Sequence, residues 1–201
     1  MNPLPAPQVL FGAGKQAGHV LNLFEWMGLP WQHVLLFDDA HPTQRVGPRG
    51  LEICGTIQQG IAHCLHSSVA GMVALGSRQA APRYSIYRTL VERGVALANL
   101  IHPSCHMGPG VRLGSNIVVM PGCVLGPHVG LGSLCCLFSN VTIEHDVQVD
   151  DNVVFGPAAV CSGYVRVGRH AFVGAGAICA PDVSIGERVY LEAGARGLGA
   201  C

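Results

Sequence analysis

The chain has 201 residues, with 12 Lys and Arg against 12 Asp and Glu, so its formal charge at pH 7 is zero; that balance argues against a nucleic-acid or membrane surface. Charged residues make up 12% of the chain and glycine fills 27 positions, a mixture suited to a compact, turn-rich protein with one sizeable core, or a small domain plus a repeat module. The start, MNPLPAPQVLFGAG, is not a basic stretch followed by a long apolar run, and no segment reaches the roughly 18 apolar residues of a membrane-spanning helix, so the expectation is a soluble, cytoplasmic protein.

QVLFGAGKQAGHVLNLFEWMG reads as a short apolar run, a glycine turn and a helical pattern. Gly12, Gly14 and Ala17 fit the form G-x-G-x-x-G/A, in which small residues let backbone amides approach a phosphate at a helix N-terminus. The same turn also serves where a helix merely packs closely on a strand. A second apolar run, HVLLFDDAH, ends in Asp38 and Asp39, about 24 residues on, near where such folds place a nucleotide-contacting acid. A third run, SVAGMVALGS, and a helical APRYSIYRTLVERG lead through VALANLIHPS into the second half. Residues 1–100 are therefore expected to form a small, doubly wound, Rossmann-like α/β domain, too short for a full dinucleotide fold.

From Ile101 onward, every sixth residue is apolar: Met107, Leu113, Val119 and so on to Leu191. A companion register two residues earlier, from Cys105 and Val111 to Val189, is unbroken as well. Gly108, Gly114, Gly126, Gly132, Gly156, Gly168, Gly174 and Gly186 follow first-register residues, where a corner is expected to need a residue that tolerates positive φ. Positions two apart on a strand face the same way, so a period of six means a short strand and a corner, and three such units close a coil of about 18 residues. Residues 101–201 are expected to form an all-β parallel β-helix of roughly five coils; an antiparallel sandwich would not hold one phase for so long. Most of the nine cysteines sit on these registers and none forms a CxxC pair, which favours free buried thiols over disulfides or zinc.

TIEHDVQVDD contains the single His-Asp dipeptide of the chain. His145 lies two places after Ile143, past the inward register and around a corner, so its imidazole is expected to project outward. An outward histidine beside an acid suits a general base, because the imidazole titrates near working pH and the carboxylate fixes its tautomer. A surface histidine on a charged corner is the other reading. Glu144 ranks as a solvated or substrate-side carboxylate.

The repeat resembles that of the hexapeptide-repeat acyltransferases, whose β-helix is left-handed; the handedness comes from the resemblance, since the usual preference is for right-handed crossovers. Both halves together resemble the bacterial sugar O- and N-acyltransferases, such as acetyl-CoA-dependent acetyltransferases of UDP-4-amino-sugars and sialic-acid O-acetyltransferases. The markers are FGAGKQAGHV, LFDD, LIHPS, VMPGCVLGPHVGLGS, IEHD and CSGYVRVGRHAFVGAGAICAP. The resemblance implies a first domain that binds a nucleotide-sugar, a β-helix that binds acetyl-CoA as co-substrate without any metal, and a homotrimer with active sites between neighbouring β-helices. It makes His145 the base, with Asp146 holding its ring, and assigns the Gly163 amide to a developing oxyanion. Ala175 and Ala193 would border the pantetheine, while Gly12, Gly14, Lys15, Asp38 and Asp39 would hold the nucleotide-sugar. The acetyl group would pass to an amine or a hydroxyl of the sugar.

Three departures stand out. The Asn that relatives carry seven residues before the catalytic histidine is Phe138 here, a histidine that approaches the acyl-CoA aligns with Val154, and the C-terminal G-x-P-A element is replaced by GARGLGAC. They keep open a nucleotide-sugar-binding or scaffold protein with decayed catalysis. A zinc carbonic anhydrase of the β-helix type is disfavoured, because His102 and His106 come before the main coils while His128, His145 and His170 lack the paired spacing of its ligands.

Overall fold

A computed structural model describes residues 6–40 and 44–197. The chain divides into two compact units, Met1–Leu100 and Ile101–Cys201.

The first unit contains β1 (Val9–Phe11), α1 (Lys15–Trp26), β2 (Leu35–Phe37), β3 (Ile53–Gly55), α2 (Ile57–Ser67), β4 (Gly71–Val73) and α3 (Ala80–Glu92). Its four strands form one parallel sheet in the order β3-β2-β1-β4, with Val9 beside both Leu35 and Gly71. β1 and β4 are buried along their whole length, as expected for strands covered on both faces. α1 buries Ala17, Val20, Leu21 and Phe24, one apolar stripe at helical spacing. α2 packs so closely that a Cβ on Gly60 would lie 2.7 Å from the Phe37 ring and 2.9 Å from that of Phe11. β3 and α2 have no counterpart in the sequence expectations. Their signal was a capping box: the Thr56 N–H donates to Gln59 Oε1 at 2.8 Å and the Gln59 N–H to Thr56 Oγ1 at 3.4 Å, which is the T-x-x-Q pattern of a helix start. No helix among the described residues is long and apolar enough to cross a membrane.

The second unit is a parallel β-helix. Two-residue strands recur every six residues, and each pairs with those one coil away: Thr142–Ile143 lies between Val124–Leu125 and Val160–Cys161. Three stacked sheets of six, six and five strands result. From Ile117 to Ile185 both apolar registers fill a single buried core, so each coil buries against its neighbours what it cannot bury alone. The eight described cysteines are free thiols, and six of them are buried.

The corners correct one expectation. Positive φ recurs at Gly110, Asn116, Gly122, His128 and onward to Arg188 and Gly194, three places past each register residue rather than one. None of the glycines expected to supply it has positive φ. They are small for another reason: a Cβ on Gly126 would sit 2.7 Å from the His145 nitrogen, and one on Gly156 would sit 2.6 Å from that of Ala175. The next coil's backbone occupies the space. At the left-handed positions the N–H donates one coil back, Asp146 to the Pro127 carbonyl at 2.9 Å and Leu134 to that of Ser115 at 2.8 Å. This ladder satisfies the corner backbone and offsets the roughly 1–2 kcal/mol that a non-glycine residue loses there.

Candidate active site

His145 occupies the corner between Thr142–Ile143 and Gln148–Val149. Stacking aligns this corner with Gly126-Pro127-His128 in the coil before and Ser162-Gly163-Tyr164 in the coil after. The His145 side chain is 47% exposed, and its Nδ1 lies 3.1 Å from Asp146 Oδ2. The other carboxylate oxygen, Oδ1, lies 3.3 Å from Nδ1 of His128. Asp146 can thus accept an N–H from each ring, which puts the proton of a neutral His145 on Nδ1 and leaves Nε2 as the basic atom. Hydrogen bonding from His145 above all, and from His128, holds the Asp146 carboxyl below its ordinary value.

Gly163 sits directly against that imidazole. A Cβ there would be 2.6 Å from Cε1 and 2.7 Å from Nε2 of His145. Its N–H makes no hydrogen bond among the described residues. The same corner position holds Pro109, Pro127 and Pro181 in other coils, residues with no N–H to satisfy, so the amide faces a place the coil leaves without an acceptor. The ring of Tyr164 meets that of His145 edge to face, centroids 5.2 Å apart at 87°. Glu144 is exposed on the same corner.

Ala175 and Ala193 are exposed and stack on a different corner, where the Gly194 N–H donates to the Ala175 carbonyl at 2.8 Å. One chain does not bring them to His145. Phe138, Ser139 and Asn140 form the turn that belongs to the Ala175 corner. Because these residues are a turn, strand alternation does not govern whether Ser139 or Asn140 can replace an asparagine. Val154 is buried in a strand between Cys136 and Phe172. Of GARGLGAC, the last four residues lie outside the described chain.

In the first unit, Gly12 has φ 113, and a Cβ on it would lie 2.5 Å from Leu75 Cδ1, so this position admits no side chain, whereas a Cβ on Gly14 would meet nothing within 4 Å. The Ala13 N–H donates to Asp38 Oδ2 at 2.7 Å, which joins the glycine turn to the end of β2. Asp38 Oδ1 accepts from the Ala40 N–H, and Asp39 Oδ1 from the Ile57 N–H at the start of α2, both at 2.8 Å. Each acid therefore has a structural bond before any ligand arrives. The Gly14 and Lys15 N–H groups make no hydrogen bond among the described residues, and the Lys15 side chain is exposed.

The remaining histidines are dispersed. His102 bonds Ser104 Oγ at 2.7 Å. His170 bonds Asn152 at 2.7 Å, and burial foremost lowers its pKa. Among the described residues no group of three or more His, Cys, Asp or Glu could hold a metal ion. His128 and Tyr164, which complete the corner, were missed from sequence; the signal was the coil length, since both stand one coil from Asp146.

Solved structures similar to this fold include bacterial sugar acyltransferases of the hexapeptide-repeat family. PerB from Caulobacter crescentus, a structure in complex with CoA and GDP-perosamine, matches with a TM-score of 0.85 at 25% identity, over 100% of this chain and 92% of that one. Two variants of this GDP-perosamine N-acetyltransferase, with one histidine changed to alanine or to asparagine, match equally. The acetyltransferase domain of PglB from Neisseria gonorrhoeae FA1090 matches at 0.80 with 25% identity, over 96% of this chain and 91% of that one. WeeI from Acinetobacter baumannii AYE shares the fold at 0.69 and 18% identity, over 94% of each chain. No family model matches the chain, and no curated protein does.

Proposed function

We propose that the chain is an acetyl-CoA-dependent sugar acetyltransferase that acetylates an amine, or a hydroxyl, of a nucleotide-linked sugar. The observation that carries this reading is the outward His145, tied to Asp146 through Nδ1 at 3.1 Å and lying over the side-chain-free Gly163. Similarity along the whole chain to a structure holding CoA and GDP-perosamine supplies the donor and acceptor classes.

The acceptor nitrogen attacks the thioester carbonyl, and Nε2 of His145 takes its proton as the new bond forms. The Asp146 carboxylate stabilises the resulting imidazolium. The carbonyl oxygen becomes an oxyanion, for which the Gly163 N–H is the candidate donor; such a donor is worth roughly 3–4 kcal/mol in other enzymes. Collapse of the adduct expels the CoA thiolate, which His145 can reprotonate. No covalent acyl-enzyme is involved.

The first unit is read as a Rossmann-like nucleotide-sugar domain. Its strand order, β3-β2-β1-β4, is that of the opening strands of a doubly wound sheet. Gly12, Gly14 and Lys15 would address the phosphates, and Asp38 and Asp39 the nucleoside. The second unit is read as the left-handed acyltransferase β-helix, working as a homotrimer in which Ala175 and Ala193 border the coenzyme beside a neighbouring subunit. The free thiols accord with a cytoplasmic setting.

Phe138 and the buried Val154 favour a second reading, a nucleotide-sugar-binding protein without turnover. Incubation with acetyl-CoA and a panel of nucleotide-linked amino-sugars that includes GDP-perosamine, followed by mass spectrometry, separates the two. An acetylated product is expected. Sugar-nucleotide binding with no product would establish the second reading instead.

A further inference from the structure

Among the described residues of the β-helix, fifteen at corners have a left-handed backbone, and nearly all are accounted for by their chemistry. Glycine has no Cβ to clash, while Asn, Asp and His tolerate the conformation. Of the others, Leu134 is fully buried, Ala158 is small, and Arg188 is an exposed, unbranched chain that reaches Glu187 at 3.4 Å. Tyr164 fits none of these descriptions. It has φ 61 and is 56% exposed, so neither conformational ease nor burial explains a phenol ring there. A bulky residue held in a sparsely populated region marks a position where something other than folding selects the side chain.

What Tyr164 touches is the imidazole of His145, at 5.2 Å between centroids. Asp146 turns toward the preceding coil, where it meets His128. The imidazole lies over the following coil, against Gly163 and beside Tyr164. The polar partners of His145 therefore stand on one side and a largely solvent-facing aromatic ring on the other. An aromatic face carries negative charge density, and its natural partner is a polarised C–H surface such as one face of a pyranose ring.

We propose that Tyr164 is an acceptor-positioning residue: its ring is a wall beside the base that takes the C–H face of the acceptor sugar and so presents the neighbouring amine or hydroxyl to Nε2 of His145. This deepens the transferase reading and rests on it.

Three variants test it: Tyr164→Asn, which suits the left-handed backbone, Tyr164→Ala, and Tyr164→Phe, which keeps the ring. The readouts are melting temperature, calorimetric Kd for GDP-perosamine and the other panel sugars without acetyl-CoA, and steady-state KM for each substrate. Tyr164→Asn is expected to raise the melting temperature by a few degrees, yet weaken sugar-nucleotide Kd and raise acceptor KM by roughly tenfold, with Tyr164→Ala equally impaired. KM for acetyl-CoA stays unchanged, and Tyr164→Phe restores acceptor Kd and KM to within about twofold of the parent values. Parental Kd and KM in Tyr164→Asn would overturn the proposal, as would a Tyr164→Phe as weak as Tyr164→Asn, since the hydroxyl and not the ring would then be responsible. Should the parent protein bind a sugar nucleotide without turning it over, the transferase reading fails and the Kd comparison alone decides Tyr164. Failure of the parent to bind any of these sugars overturns both.

Discussion

At the scale of single residues, the corner column makes predictions that separate chemistry from folding. His145→Ala removes the proposed base from an exposed position, so turnover should fall by roughly a hundredfold or more with the melting temperature nearly unchanged; full turnover would mean that another group takes the proton. Gly163→Ala puts a methyl 2.6 Å from His145 Cε1, and the imidazole must swing away. A displacement of that size costs on the order of a hundredfold in kcat, read by single-turnover kinetics beside an intact thermal melt. Asp146→Asn keeps a side chain that the left-handed backbone accepts but offers Nδ1 of His145 an amide in place of a carboxylate, so kcat should fall roughly tenfold or more. The sign of its pH dependence is fixed. Folding lowers the Asp146 pKa through its bonds from His145 and His128. The pairing therefore stabilises the fold above the ordinary carboxylate value and is lost as pH falls through the lowered one. Parent and Asp146→Asn melting temperatures should differ slightly near neutrality and converge as pH drops below about 4.

At the scale of one coil, two kinds of small residue have opposite duties, and substitution tells them apart. Gly156 has ordinary φ but a Cβ there would press on the Ala175 nitrogen at 2.6 Å; a neighbouring backbone cannot yield as a side chain can. Gly156→Ala should lower stability by roughly 1–3 kcal/mol. Two residues later Ala158 has φ 57, and Ala158→Gly should raise stability by up to about 1 kcal/mol. Paired thermal melts check both, and a reversed order would reject this account of the corners. The period of six was legible because every coil repeats the same burial. Which corner residue turns left-handed was not, because a glycine required by a close neighbour and a glycine required by φ look identical in a string of letters. His145 and Asp146 were legible as a local couple. His128 and Tyr164 were not, since they join that couple by stacking one coil away, and nothing local to either residue signals its partner.

At the scale of the whole molecule, the two units were legible to different degrees. The β-helix announced itself through repetition, whereas β3 and α2 of the first unit carry little period and were recoverable only through the Thr56–Gln59 cap. The β-helix also exposes aliphatic side chains along one of its sheets. Along the sheet that contains Thr142–Ile143, outward residues of neighbouring coils include Val124, 36% exposed, and Ile178, 40% exposed, with Thr142 and Val160 half-buried between them. These four aligned side chains, three of them aliphatic, form a mostly apolar stripe of the kind that subunits cover. The sheet runs from the His145 corner to the Ala175 corner, so a subunit seated on it would lie beside both. If the proposed homotrimer is right, light scattering should give three times the 21.1 kDa of one chain. Ile178→Glu should then break the assembly, because a carboxylate on a dry contact loses its hydration with no partner. Activity should be lost with the trimer although every group around His145 remains. A monomeric Ile178→Glu that still turned over at the parental rate would show that one chain holds a complete site.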